Sequence, residues 1–234
     1  MSRVDFLLWV VLPYAALVVF IVGHIWRWRT DQFGWTTRST QLMERRWLMW
    51  GSNLLHIGLL MAIGGHVVGI LIPKSVTEIV GVTEASYHLV AVAAGSVAGL
   101  FCVAGLAILI ARRLHFPRVG ATTKTIDLVV YAVLTVAIVT GAVATSGYQI
   151  FTDGYDYRAT VSPYFRGIFS LDPTAGNIAS APLLYQVHVL TAVGLYALWP
   201  FSRLVHAWSV PWRYLTRRPI VYRAARGSVK QVSR

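Results

Sequence analysis

The chain has 234 residues, enough for one large soluble domain or two small ones, but 56% of them are hydrophobic and only 13% are Asp, Glu, Lys or Arg. Soluble domains are about a quarter charged, so lipid is the expected solvent for much of this chain. The excess of 21 Lys and Arg over 9 Asp and Glu reads as a cytoplasmic-face signature rather than a nucleic-acid footprint, and the single cysteine, Cys102, excludes an intrachain disulfide, a Cys-rich zinc site, an iron–sulfur cluster held by this chain alone and a thioether-linked haem.

A bilayer core of about 30 Å needs about 20 apolar residues in a helix. Five windows qualify, roughly 4–26, 48–72, 87–110, 126–146 and 183–208. The expected fold is therefore an all-α integral membrane protein of five transmembrane helices. The first window holds Asp5 and His24 near its ends and nothing charged between. It is too long for a signal peptide, and no A-x-A pattern follows it, so it is read as a retained span. Cations then gather in alternate connections: five over 27–46, four over 111–124 and eight from 203 onward, 17 of the 21. Only Arg3, Lys74, Arg158 and Arg166 fall on the other side. That split places the N-terminus outside and the C-terminus in the cytoplasm, with a basic cytoplasmic tail over 209–234. Trp26, Trp28, Trp35, Trp47 and Trp50 flank the first cytoplasmic loop, and Trp208 and Trp212 flank the last exit; amphipathic rings favour that interface. The long outer connection 147–182 is expected to run along the surface with a short amphipathic helix. The sequence carries no GxGxxG, P-loop, HExxH or GxSxG, which weighs against a nucleotide-dependent or hydrolytic enzyme.

Polar side chains inside spans are costly and usually functional. His115 in a basic loop and His24 beside the Trp/Arg interface read as solvated or interfacial. His56, His66 and His188 fall within predicted hydrocarbon, and His206 at the cytoplasmic end of the fifth span. At 1.5 Å per residue, His66 lies about 9 Å and His188 about 8 Å from the outer ends of their spans, which are antiparallel. His56 lies about 12 Å and His206 about 3 Å from the inner ends. The pairs that emerge are His66 with His188 outside and His56 with His206 inside. His188 and His206 are 18 residues apart, five helical turns, and share a face; His56 and His66 are about 80° out of line, which helix crossing or a distortion at Gly64–Gly65 would have to absorb. Two stacked imidazole pairs in lipid suit the two axial positions of haem iron, so each pair would clamp one b-type haem. Gly65 and Gly69 could let a flat macrocycle approach the backbone, although plain small-residue helix packing explains them as well, as it does Gly95 and Gly99. Helix–helix hydrogen bonds, another metal or a proton relay are the competing readings of the histidines. Zinc expects further ligands, and no Asp or Glu stands at mid-depth to serve a relay.

The stretches SNLLHIGLLMAIGGHVVG (52–69) and PFSRLVHAWSVPWRYLTRR (200–218), with RSTQLMERR (38–46) and RRLHFPRVGATT (112–123), closely resemble the gamma subunit of respiratory nitrate reductase, a di-haem cytochrome b. The resemblance covers nearly the whole chain, 1–234, and includes the His-x9-His spacing followed by a late His-x17-His. It implies that His66 and His188 hold the distal haem iron and His56 and His206 the proximal one. It implies quinol oxidation near the distal haem, with electrons passed inward through the proximal haem to an iron–sulfur beta subunit and on to a molybdenum-containing alpha subunit that reduces nitrate. The expected setting is the cytoplasmic (inner) membrane, with lipid, quinol and the two cytoplasmic subunits as partners and no nucleic acid. The family leads one to expect a basic residue near the start of span three; Tyr87 and His88 stand there and become the candidate quinol residues, His88 because an imidazole can take a proton near neutral pH. Arg112, Arg113, Ser202 and Arg203 are candidates for the surroundings of the inner haem. A related membrane cytochrome of a heterodisulfide-reductase-like or sulfite-reductase-associated complex is the nearest rival, and a transporter or channel with histidines in its path is the rival of a different class.

Overall fold

The structure is a computed structural model that describes residues 2–152, 154–208 and 216. Most of the described residues are helical, and none of them is in a strand. Five helices are long and apolar enough to cross a membrane. We label four of them α1 (Arg3–Thr30), α2 (Arg46–Leu71), α3 (Glu84–His115) and α4 (Thr125–Phe151). A short helix in the long connection is α5 (Val161–Phe169), and the α-helical part of the last span is α6 (Leu183–Leu198). The tail expected over 209–234 lies outside the described residues apart from residue 216.

Sequence fixes the ends of these helices locally. Ser2 accepts from the Asp5 N–H while the Asp5 carboxylate accepts from the Ser2 N–H, a reciprocal cap that starts α1. Thr83 caps α3 through the Ser86 N–H, and Arg112, Arg113 and His115 in its last turn face the negative end of the helix dipole. The membrane helices run a few residues past the apolar windows because polar interfacial residues continue the helix. The last span is the exception. One helix is expected over 183–208, but α6 ends at Leu198, a 3-10 turn covers Trp199–Phe201, Ser202 is extended, and a second 3-10 turn carries Arg203–Trp208. Pro200 accounts for the interruption, since it lacks an N–H and its ring clashes with the preceding turn. The single face proposed for His188 and His206 therefore does not exist. Nor is there a distortion at Gly64–Gly65: the α-helical part of α2 runs regularly from Arg46 to His66 and changes to a π turn only at Val67–Leu71.

Helices α2 and α3 approach backbone to backbone. A Cβ at Gly58 would stand 2.7 Å from the Cys102 nitrogen, and one at Gly105 would meet the Leu55 backbone. Gly95 faces Thr145 and Gly99 faces Ala142 of α4, so both serve close packing. Leu60, Leu89, Leu100 and Leu183 are each more than half exposed; in lipid such side chains carry no penalty. The long connection caps one end of the bundle. The Tyr164 hydroxyl donates to the Trp9 carbonyl (2.9 Å), Ser162 to Gly69 (3.0 Å) and Arg166 to Ile70 (2.7 Å). The last two satisfy carbonyls at the end of α2, which would otherwise be orphaned. The amphipathic helix expected in this connection is thus α5, and it seals what we call the capped end.

The opposite, basic end is tied by Arg112. It is 2% exposed; it donates from Nε to the Glu44 carboxylate (2.6 Å), from Nη1 to the Thr40 hydroxyl (2.8 Å) and from Nη2 to the carbonyls of Thr40 and Glu44. Burial disfavours the charged form of Glu44, but the Trp47 and Leu48 N–H groups and Arg112 outweigh it and hold its carboxyl below the ordinary range. Glu44→Ala should cost about 3 kcal/mol by leaving Arg112 buried without its carboxylate, read as a lower melting temperature in detergent. Because the folded pKa is depressed, the Glu44 contribution should be complete above the unfolded carboxyl value of about 4.3 and disappear as pH falls through the lower folded value; a Glu44→Gln chain should show a flatter acid limb.

Candidate functional site

The four histidines singled out by depth meet in two pairs. The rings of His66 and His188 have centroids 6.1 Å apart with planes at 25°, and those of His56 and His206 lie 5.9 Å apart at 64°. His56 and His66 are ten residues apart on one helix, about 15 Å along the axis. The pairing His66–His188 toward the capped end and His56–His206 toward the basic end is the one the depths indicated. It is reached by a different route: the Ser202 break, not an unbroken helix, brings His206 to His56.

Each imidazole is oriented through Nδ1. His56 donates to the Ser52 carbonyl (2.7 Å), His66 to Ala62 (2.7 Å), His188 to Ala137 of α4 (3.0 Å) and His206 to Arg203 (2.7 Å). A carbonyl can only accept, so the proton sits on Nδ1 and the lone pair on Nε2. This is the arrangement of a metal-bound imidazole whose other nitrogen is held by a backbone oxygen. Two imidazole–metal bonds of about 2 Å, each extended by about 1.1 Å from nitrogen to ring centre, would separate centroids by about 6 Å. Among the described residues no three His, Cys, Asp or Glu side chains gather to hold an ion. Each pair offers two imidazole nitrogens and, among the described residues, no third His, Cys, Asp or Glu, a donor set that would suit iron already held in a macrocycle. All four histidines line one cavity of about 2190 Å³, well beyond the roughly 1,000 Å³ of a large ordinary ligand pocket.

The glycines divide by what they face. A Cβ at Gly65 would meet nothing within 4 Å, so the space beside His66 is open. A Cβ at Gly69 would stand 2.5 Å from the Tyr87 hydroxyl and 3.1 Å from that of Tyr157; Gly69 makes room for two phenols. Arg203 forks onto Asp127, with Nε to Oδ1 at 2.9 Å and Nη2 to Oδ2 at 2.7 Å. Arg112 is committed to the Glu44 loop as described. Arg113 donates to the hydroxyls of Tyr131 (2.9 Å) and Thr123 (2.7 Å). All three arginines line the same cavity.

Tyr87 and His88 also line it. The Tyr87 hydroxyl pairs with that of Tyr157 at 2.7 Å, and the Arg158 guanidinium lies 4.0 Å above the Tyr87 ring. Burial, then the Tyr87 hydroxyl, push the Tyr157 phenol well above its ordinary range, so it remains a donor. The Gln149 amide donates to the Tyr155 carbonyl and the Tyr185 hydroxyl. That leaves Gln149 Oε1 facing His88 Nε2 at 3.2 Å. His88 therefore carries its proton on Nε2 and its lone pair on Nδ1. His115 stacks on Trp47, and His24 sits among Phe20, Trp35 and Trp208.

With this geometry in view, comparison with known proteins is decisive. Residues 5–225 match the family described as nitrate reductase gamma subunit. The chain belongs to that family. It is 44% identical over 217 residues to the nitrate reductase gamma chain of Bacillus subtilis, covering 93% of this chain and 97% of that one. It is 32% identical over 213 residues to the respiratory nitrate reductase 1 gamma chain of Escherichia coli, covering 91% and 94%. It is 47% identical over 219 residues to the nitrate reductase-like protein NarX of Mycobacterium tuberculosis; that match covers 93% of this chain but spans only 34% of the larger protein. A gamma chain with five such helices is a multi-pass inner membrane protein.

Within this gamma-chain site, sequence reading missed Tyr157, Gln149 and Asp127, and it missed Gly141. A Cβ there would lie 2.8 Å from His188 Cε1, so only glycine lets the ring reach its carbonyl on α4. Nothing in the spacing of α4 marks Gly141, because its contact is made across helices. Gly141→Ala should displace His188 and cost about 1–3 kcal/mol of stability, whereas Gly65→Ala, whose Cβ enters open space within a helix, should raise the stability of the haem-free chain by up to about 1 kcal/mol, read as a higher melting temperature. Equal effects of the two substitutions would contradict this assignment of space.

Proposed function

We propose that the chain is the membrane anchor and quinol-oxidising di-haem b subunit of a respiratory nitrate reductase. The observation that carries the reading is the pair of facing imidazole sets, each about 6 Å apart with Nδ1 held by a carbonyl. His66 and His188 would hold the distal haem iron and His56 and His206 the proximal one. When bound, the two haems would supply one-electron carriers between the capped end and the basic end. The open space beside Gly65 favours a macrocycle against that stretch of α2. Arg113, whose partners are hydroxyls, is the cation best placed for a propionate, since Arg112 and Arg203 already hold carboxylates.

The capped end would face outward and the basic end the cytoplasm, in keeping with the cation count. Quinol would enter the cavity at the capped end, where Tyr87, Tyr157, His88 and Gln149 provide its polar lining. His88 Nδ1, with Nε2–H anchored on Gln149, would accept a quinol proton and return it to the outer side. Tyr157, kept protonated by burial, would orient a quinol oxygen through Tyr87. Electrons would be delivered to an iron–sulfur beta subunit docked at the basic end, which feeds a molybdenum-containing alpha subunit. Each charge separated across the membrane stores about 2.3 kcal/mol per 100 mV.

The test is haem content and spectra of single variants. The wild-type chain should yield about two acid-extractable haems with bis-imidazole spectra. Their imidazole planes differ, 25° against 64°, so two distinct low-spin resonances should be resolved. His66→Ala and His188→Ala should remove one and the same resonance, His56→Ala and His206→Ala the other. A fully assembled chain without haem would overturn the reading. His88→Ala should retain both haems and their reduction by dithionite while slowing reduction by quinol about 100-fold or more, the lower bound of a typical general-base contribution. Unchanged quinol kinetics would return His88 to the interface.

A further inference from the structure

Three of the four ligand-type histidines stand on membrane-spanning α-helix. His206 stands instead on a 3-10 turn of six residues that begins immediately after the extended Ser202. Short 3-10 segments have poorer hydrogen-bond geometry than an α-helix, and Pro200 prevents this one from drawing on α6 for support. Something else must fix the direction in which His206 points.

Two buried charges from other helices hold this segment. Arg27 of α1 is 5% exposed. Its Nη1 donates to the carbonyls of Pro200 (2.6 Å) and Ser202 (2.8 Å), its Nη2 to Gly34 (2.8 Å), and Asp31 lies 3.8 Å from Nε. An uninterrupted helix would use the carbonyls of residues 200 and 202 itself; here one guanidinium nitrogen takes both. Asp127 of α4, with a side chain 1% exposed, holds Arg203 through a two-pronged ion pair at 2.7 and 2.9 Å. The carbonyl of that same Arg203 accepts the Nδ1–H of His206. The segment is further stitched by Ser202 Oγ to the Trp199 carbonyl and by Trp199 Nε1 to the Leu204 carbonyl. His188, by contrast, finds its carbonyl on Ala137 of α4 and depends on neither charge.

We infer that Arg27 and Asp127 are positioning residues for the haem held by His56 and His206: they keep residues 200–206 in the broken form that aims His206 at His56. The inference rests on the di-haem reading above. Arg27 acts through two carbonyls, and Asp127 acts through Arg203. Lysine cannot reproduce Arg27, because a compact ammonium lacks the planar fork that reaches residues 34, 200 and 202 together. Asparagine in place of Asp127 preserves shape and one acceptor but gives up the charge-assisted pair.

The experiment uses the full chain, in the membrane with its partner subunits, as wild type, Arg27→Lys and Asp127→Asn. Haem per chain and redox-poised low-temperature EPR are recorded, with His206→Ala and His66→Ala assigning the two low-spin resonances. Each conservative variant should weaken occupancy of the basic-end haem about tenfold or displace its resonance and midpoint potential, while the capped-end resonance keeps its position and amplitude. That unchanged second signal shows that the chain has folded. Equal loss of both resonances, loss of the chain from the membrane in both variants, or spectra identical to wild type would each overturn the inference. If wild type itself lacked two bis-imidazole haems, the proposed function would fall first, and the inference with it.

Discussion

Within lipid every backbone carbonyl and every imidazole N–H has to find its partner inside the protein, and this requirement organises the bundle. The four site imidazoles meet it by donating Nδ1–H to backbone oxygen, but the oxygen has three different origins. His56 and His66 use the carbonyl four residues back on their own helix. His188 reaches across to Ala137, and His206 bonds three residues back within its 3-10 turn. In each case the bond fixes both the tautomer and the rotation of the ring. Two rings can then face one another with their centroids about 6 Å apart.

Space is regulated by glycine, and the same residue type performs opposite tasks. Gly58 and Gly105 bring α2 and α3 into backbone contact, which makes a rigid wall. Gly64 and Gly65 face open volume, which keeps the cavity wide beside His66. Gly141 yields to an imidazole and Gly69 to two phenols. A Cβ would force the wall apart at Gly58 or Gly105, enter open space at Gly64 or Gly65, crowd the His188 ring at Gly141 and meet the tyrosine pair at Gly69. Small-residue spacing along one helix cannot separate these outcomes, since each depends on what the neighbouring helix presents.

The five spans were legible because hydropathy depends only on local composition, and the histidine pairs because depth follows from counting along antiparallel helices. Azimuth failed as a criterion. It presumed that 183–208 was one helix, whereas Pro200 and Ser202 divide it. The sequence shows Pro200 openly, but whether a membrane proline bends a helix or ends it depends on who takes the freed carbonyls, and here that is Arg27 from 173 residues away. The capping role of α5, Gly141, and the Arg203–Asp127 pair were hidden for the same reason: all are contacts between segments distant in sequence.

Those long-range contacts also change what the cation bias of this chain means. Counted along the sequence, the basic end looks like a uniform charged surface. In the structure Arg27 and Arg112 are almost wholly buried, each fastening a loop or a helix break through backbone oxygens, and Arg203 is paired with a buried carboxylate. These arginines gather at the membrane boundary because that is where helices end and carbonyls lose their partners, and a guanidinium can satisfy several at once while its charge stays near the polar interface. The buried cations of this end thus owe their place to the carbonyls and carboxylates they hold. Capping occurs at both ends but on different segments: at the basic end Arg27 holds the break that precedes His206, whereas at the capped end Arg166 and Ser162 hold the last carbonyls of α2, beyond the pair formed by His66 and His188.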